Sequence, residues 1–384
     1  MQIGYCTNVH AGPDLETTRA NLLQYASNVK QQFSPETPMG VGLWLAAPAA
    51  ASLRDPVQLA TFRDWLAQHE LVPFTLNGFP YGDFHTEIVK HRVYKPTWFD
   101  SNRLTYTTNL INALHGLLPE GMEGSISTLP IAWDRKSMTP QQWIKASQQL
   151  LQLCRYLHQL EQETGRLIYV CLEPEPGCVL DVAKDMIDLF HERLLPFEDE
   201  NIVTRYLRIC HDICHSAVMF EPQADVLQRY RTLGIRVGKV QISSAVRVDF
   251  NSITPEQRSQ ALEQLASFNE PRYLHQTSIR EPSGETRFYE DLSLALDAVK
   301  QARDLNSIWS VHFHVPVYLE SLGLLGTSRS DILRCFEVCK SMPDLQHYEV
   351  ETYAWNVLPK EHQVDNLADG IAREMNWVRE QLTS

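Results

Sequence analysis

Residues 205–220 read RYLRICHDICHSAVMF. They hold two histidines four apart, His211 and His215, around Asp212, and two cysteines four apart, Cys210 and Cys214. On a helix, positions i and i+4 share a face, and a metalloprotease-type zinc site would follow. Here Cys, Ile and Cys interleave with the alternation of a strand, and Asp212 stands where that chemistry carries a glutamate base. A redox reading of the cysteines lacks the CxxC spacing. Taken as a strand, the segment sends Ile209, His211 and Ile213 to one side and Cys210 and Asp212 to the other. Asp212 then points inward near the strand's C-terminal end, His215 lies past that end, and Cys210 and Cys214 read as small interior packing.

The pattern repeats outward from there. Short β-rich runs alternate with longer helical ones: QIGYCTN, GVGLWLA, PFTLNGF, GSISTLP, LIYVCLEP, LRICHDIC, GKVQISS, WSVHFHVPV and HYEVETY read as strands. PDLETTRANLLQYASNVKQQF, TPQQWIKASQQLLQLCRYLHQLEQET, FYEDLSLALDAVKQARD and SDILRCFEVCKSM are among the helices between them. Strands alternating with helices imply parallel βαβ units. Eight such units close a (β/α)₈ TIM barrel, and nine strand candidates leave one extra. The longest gap lies between KVQISS and YEVETY, so the chain reads as a single barrel domain over 1–384 with an insertion over 245–320, between the last two barrel strands. Within it, RYLHQTSIREPSGETRFYEDL suits a loop or hairpin turning at Gly284. A doubly wound sheet is the alternative, but no GxGxxG or GxxxxGK[ST] follows any strand.

The composition suits this. Of 384 residues, 43% are hydrophobic, enough for a large core. A net charge of −13 argues against binding nucleic acid through phosphates, and so against an endonuclease. The N-terminus lacks the basic and apolar regions of a signal peptide, and no apolar run approaches the roughly 20 residues that span a bilayer. Eight scattered cysteines fit reduced thiols in a cytoplasmic protein, with Cys335 and Cys339 on the buried face of a helix.

Barrel parity then sorts the polar residues. Ile168, Val170 and Leu172 face helices, while Tyr169, Cys171 and Glu173 face inward. Lys239, Gln241 and Ser243 go in, as do Glu349 and Glu351. His312 and His314 share the side opposite Val311, Phe313 and Val315. Catalytic groups of barrels gather at strand C-termini. Carboxylates buried there need a partner, and one divalent cation is such a partner: Mn²⁺, Mg²⁺, Zn²⁺, Co²⁺ or Fe²⁺. Glu351, with Glu349 beside it, also suits an ion pair with lysine or arginine, and Gln241 suits a hydrogen-bonded core position. His10 follows the first strand and Asn77 ends the third. Tyr81, His85 and Trp133 sit in mouth loops, Glu175 lies between two prolines, and His275 and Arg280 lie in the insertion.

Glu173 in CLEPEPG, Asp212 and His215 in HDICH, Arg247 six residues after Gln241, and Glu351 in EVETY form an ordered series. It resembles the xylose-isomerase-like barrels of sugar isomerases, epimerases and related endonucleases. That resemblance implies one divalent metal on Glu173, Asp212, Gln241 and Glu351, with Glu173 and Glu351 as the proton-transfer acids. It implies substrate contacts from His215 and Arg247; His10, Asn77, Glu175 and Trp133 are candidates by position. Gln241 replaces the usual histidine ligand, and His312 or His314 would supply an imidazole if the inserted strand covers the mouth. LEPEPG, HDICHSAV, KVQISSA, HFHVPV and EVETYAW, with GYCTNVHAG at the start, are more specifically similar to the EboE metabolite traffic family. This likeness runs from the N-terminus to near residue 357. It implies a sugar isomerase or epimerase-like barrel acting on or handling a small metabolite, with ties to other proteins of an operon that moves a secondary-metabolite precursor. The alternative it leaves open is a metabolite-binding protein without turnover.

Overall fold

Among the described residues, fourteen strands divide between two sheets: β1 (Gln2–Tyr5), β2 (Met39–Trp44), β3 (Leu71–Asn77), β4 (Gly124–Thr128), β5 (Ile168–Leu172), β6 (Leu207–Asp212), β7 (Val237–Ile242), β8 (Val246–Asp249), β9 (Thr277–Arg280), β10 (Thr286–Tyr289), β11 (Ile308–Val311), β12 (Ser321–Leu322), β13 (Leu325–Thr327) and β14 (His347–Val350). They come from a computed structural model that describes residues 1–299, 305–355, 358–360 and 363–384. The first sheet runs β1-β14-β7-β6-β5-β4-β3-β2. Every pairing in it is parallel, and a Cys6–Gly42 bridge between its two edges nearly closes the barrel.

Helices surround this ring because the outward parity of each strand is aliphatic. Ile168, Val170 and Leu172 join the main core, while Tyr169, Cys171 and Cys210 pack together inside the barrel. The helix Pro140–Thr164 shows how locally its limits are set. Thr139 and Gln142 form a capping box, Pro occupies the first turn, and Gly165 ends it at φ 71°. His211 points outward and pairs with Gln223 Oε1 at 2.7 Å. Cys214 differs from expectation. The chain turns into the helix Ile213–Val218 at Asp212, which carries Cys214 out of the barrel to pack on Val218 and Ala245. All eight cysteines are free and buried, and Cys335 and Cys339 share the helix Arg329–Cys339.

The ninth strand candidate is β11, and it belongs to the second sheet. That sheet is antiparallel, ordered β10-β9-β11-β8-β13-β12, and lies between β7 and β14 in the chain. β9 and β10 form the hairpin around Gly284, whose φ is 87°. The helix expected from 288 begins at Leu292 and runs to Val299; residues 300–304 lie outside the described residues. Past β11 the chain leaves its sheet toward the barrel mouth. There His312 N donates to Gln276 O at 2.8 Å and Val315 N to Ser244 O at 3.0 Å.

Inside the barrel, the Lys239 ammonium and Glu349 carboxylate lie 2.6 Å apart with no exposure. Glu349, and not Glu351, therefore makes the ion pair that the sequence suggested for Glu351. Gly42 makes room for it: a Cβ there would stand 1.5 Å from Glu349 Oε1.

Candidate metal centre

Glu173 follows β5, Asp212 ends β6, and Glu351 follows β14. One oxygen from each lies within 4.8 Å of the other two, and all three residues are buried. Asp212 is held by its own fold. Its Oδ1 caps the helix Ile213–Val218 by accepting from His215 N at 2.9 Å, and accepts from Ser243 Oγ at 2.7 Å. Glu351 Oε1 accepts from Asn8 Nδ2 at 2.7 Å and Asn77 Nδ2 at 2.8 Å. Glu173 Oε2 and Asp212 Oδ2 are buried with no hydrogen-bond partner.

Gln241 sits among them as a donor. Its Nε2 donates to Glu173 Oε1 at 3.2 Å and to Glu351 Oε2, and its Oε1 accepts from Cys210 Sγ at 3.1 Å. The implied ligand role needed that oxygen turned to the site. Instead the amide N–H groups bridge two carboxylates, the arrangement their negative charge selects.

Burial pushes the Glu173 carboxyl well above the carboxylate range, and the charges of Glu351 and Asp212 push it further. Burial raises Glu351 to about 8, helped by Asp212 and Glu349. Burial opposes ionisation at Asp212 as well, but His215, His314 and the two hydrogen bonds to Oδ1 hold its carboxyl below the ordinary range. Three carboxylates this close cannot all ionise without added positive charge. Lys239 is engaged by Glu349. The donor set, two orphaned oxygens and a third carboxylate, fits a hard or borderline divalent cation.

Three histidines line the other side of the mouth. His215 Nδ1 lies 2.9 Å from Pro174 O, and the His215 ring meets that of His312 edge-on at 4.7 Å. His314 Nδ1 lies 2.6 Å from Glu351 O, His312 Nδ1 lies 2.7 Å from Gln276 Oε1, and the two Nε2 atoms face each other at 3.1 Å. Burial pushes the imidazole of His314 down to about 4 and that of His312 well below its usual value. Behind them, Tyr94 OH donates to Glu175 Oε1 at 2.6 Å, and Gln276 Nε2 donates to the same oxygen at 2.9 Å.

The pocket is walled by Phe79, Phe84, Val93, Tyr273 and Tyr353 and stands partly open to solvent. Asn77, Glu173, Glu175, His215, His312, His314 and Glu351 line it. The structure does not bring His10, Arg247 or Trp133 into this group, and each has a physical reason. His10 pairs with the Tyr5 hydroxyl at 3.2 Å and stacks on Tyr25 at 4.3 Å. Arg247 leaves the barrel with β8, where Nη1 meets Asp331 Oδ2 at 2.9 Å and Nη2 donates to Ala217 O at 3.1 Å. Trp133 packs on the far side of Tyr94, ring to ring at 4.9 Å. Tyr81 packs on Tyr106, His85 contacts Asn8 O at 2.6 Å, and His275 stacks on Phe313 at 4.9 Å. Arg280 donates to Phe220 O at 3.1 Å, on the insertion sheet. Sequence reasoning passed over Asn8, Tyr94 and Gln276. Asn8 stands two residues before His10, on the same loop after β1. Tyr94 and Gln276 lie outside the strand parity that flagged the others.

Comparison with solved structures defines the fold. The chain superposes on a xylose isomerase-like TIM barrel protein from Mycobacterium smegmatis in complex with magnesium, with a TM-score of 0.53, 10% identity, and coverage of 100% of this chain and 96% of that one. A D-tagatose 3-epimerase-like protein matches with TM-score 0.50, 10% identity, and coverage of 100% and 97%. A xylose isomerase domain protein from Planctomyces limnophilus gives 0.50, 12% identity, and 99% and 95%. The fold is that of the xylose-isomerase-like TIM barrels. No family model and no curated protein matches the sequence. No helix among the described residues is long and apolar enough to cross a membrane.

Proposed function

We propose that the mouth carboxylates hold one divalent cation and that the barrel rearranges a small polyhydroxy or enolisable carbonyl metabolite, in the manner of a sugar isomerase or epimerase. The observation that carries this reading is the meeting of Glu173, Asp212 and Glu351 from three strands, with Glu173 Oε2 and Asp212 Oδ2 unpartnered. Those two oxygens and one from Glu351 would hold the ion, which when bound would polarise a carbonyl and stabilise an enediolate. The magnesium complex of a structural neighbour is consistent with that donor set.

The chain's own residues supply the rest. Glu173 and Glu351 are the acid and base, since isomerisation of an α-hydroxy carbonyl needs proton transfer at two positions. Asn8 and Asn77 fix the orientation of Glu351. His215 directs Nδ1–H to the Pro174 carbonyl, which leaves Nε2 an acceptor for a substrate hydroxyl.

A second reading is metabolite handling without turnover, in the traffic of a secondary-metabolite precursor, as the EboE-like phrases imply. Gln241 favours it, because its amide engages both proposed proton-transfer acids. Elemental analysis after Mn²⁺ loading decides the cation: about one equivalent in the wild type at this site, lost in Asp212→Ala. Incubation with aldoses and ketoses in deuterated water decides turnover. Deuterium at the carbon beside the carbonyl, lost in Glu173→Gln, supports the enzyme. Saturable binding without exchange supports handling, and metal-free folded protein after loading refutes the cation.

A further inference from the structure

We propose that His312 and His314 form a second cation site, built by the insertion, that takes a zinc-class ion through their two Nε2 atoms. The neighbours of both rings fix their tautomers. Gln276 Nε2 is surrounded by acceptors: Glu175 Oε1 at 2.9 Å, Tyr94 OH at 3.0 Å and Pro176 O at 3.3 Å. The Tyr94 proton is itself directed to Glu175. Turning the amide over would set its oxygen against the Glu175 carboxylate and the Pro176 carbonyl, so its orientation is fixed. Gln276 Oε1 therefore faces His312 Nδ1, and that nitrogen must carry the proton. His314 Nδ1 faces the Glu351 carbonyl oxygen and must carry its proton too. In two neutral imidazoles, both Nε2 atoms are then bare, and they point at each other across 3.1 Å. Two lone pairs at that distance repel, and the gap is too short for a water between them.

A cation resolves the conflict. Two imidazole nitrogens on one ion, each about 2.0–2.1 Å from it, stand roughly 3.0–3.4 Å apart. Metal-binding histidines direct the other ring N–H to a carbonyl or carboxylate, as both of these do. The relay behind His312 continues through Gln276 to Glu175 and Tyr94, which locks the ring. Imidazole ligands select Zn²⁺, Co²⁺, Ni²⁺ or Fe²⁺, whereas the carboxylates suit Mg²⁺ or Mn²⁺. Asp212 connects the centres: one of its oxygens and one nitrogen each of His215 and His314 lie within 4.8 Å of one another. The proposal rests on the carboxylate reading only through that shared residue.

The experiment is a metal count on the full chain, stripped with chelator, saturated with Mn²⁺, then equilibrated with Zn²⁺ and desalted. The expected wild-type result is one manganese and one zinc per chain. The His312→Gln/His314→Gln variant should keep manganese and lose zinc by at least tenfold in affinity. Zinc content unchanged in that variant, or a wild type holding manganese alone, overturns the proposal and leaves the carboxylate site standing. Should zinc displace the manganese, as its higher affinity for carboxylates allows, two zinc ions in the wild type against one in the variant support the histidine site, and equal zinc in both overturns it. Should the variant not fold, Co²⁺ titrated into manganese-loaded wild type decides. An intense visible spectrum of a nitrogen-bound, low-coordinate ion saturating at one equivalent supports the site, and only weak bands of six-coordinate cobalt overturn it.

Discussion

Lys239 and Glu349 carry opposite charges at zero exposure, one layer below the carboxylate centre. Removing one partner of such a pair leaves an uncompensated buried charge, a loss of about 3–5 kcal/mol. Lys239→Met should lower unfolding stability in urea by that amount, and adding Glu349→Leu should recover most of it. A single variant that melts like the wild type would falsify the view that this charge is structurally required. The pair also bears on what was legible in the sequence. Strand parity placed Glu173, Asp212, Gln241, Glu349 and Glu351 inside, because a strand's period of two is rigid. It did not say which glutamate takes the lysine. That follows from depth in the barrel, and from Gly42 opposite, whose lack of a side chain admits Glu349. Nor could it fix the amide of Gln241, whose orientation comes from the charges converging on it. Arg247 shows the limit of spacing. Its place in the series assumed that β7 simply runs on, whereas the chain leaves the barrel at Ser243 and enters a different sheet.

At the scale of elements, the C-terminal helix Leu367–Thr383 ties the stretch past β11 to the segment after β14. Glu374 Oε1 accepts from Val317 N at 3.0 Å and Thr352 Oγ1 at 2.6 Å, while Oε2 is buried without a partner. Burial raises this carboxyl to about 8 from 4.5, against the pull of both hydrogen bonds. The folded state thus keeps a proton that the unfolded chain releases above pH 4.5. Stability from this group is full below the unfolded value and falls as pH rises toward the folded one, by up to about 1.4 kcal/mol per pH unit. Glu374→Gln keeps the acceptor and removes the titration. Its stability, from urea melts between pH 5 and 8, should decline less steeply than the wild type's. Equal slopes would show that Glu374 ionises freely in the folded protein. Nothing in the sequence marked this glutamate, which occupies an ordinary helical position. The eight barrel strands were legible because each repeats the same alternation. The insertion's six short strands were not, apart from β11 and the hairpin at Gly284, because two to four residues are too few to show a period.

Over the whole molecule, the insertion helps build the barrel mouth rather than decorating it. It contributes Tyr273, His312 and His314 to the pocket, and it reaches back to the loop after β3. Val89 N and Lys90 N both donate to Arg272 O, at 2.8 and 3.0 Å, and the Lys90 ammonium pairs with Asp291. The pocket is lined by residues of both the insertion and the loop after β3, so contacts between the two border the way in. The Lys90–Asp291 pair is the contact best suited to parting. Lys90 is about a third exposed while Asp291 is buried, so removing the carboxylate returns the ammonium to water rather than leaving a charge buried. The two backbone bonds to Arg272 remain when the pair is removed, so the loop should loosen locally and the fold should hold. Asp291→Ala is expected to speed amide exchange in residues 84–94 and 286–292 severalfold while leaving the barrel strands unchanged. Its melting temperature should stay within a few degrees of the wild type. Uniformly faster exchange with a large drop in melting temperature would mean that the pair holds the two sheets together. Unchanged exchange in residues 84–94 would mean that the Arg272 contacts alone hold this loop to the insertion.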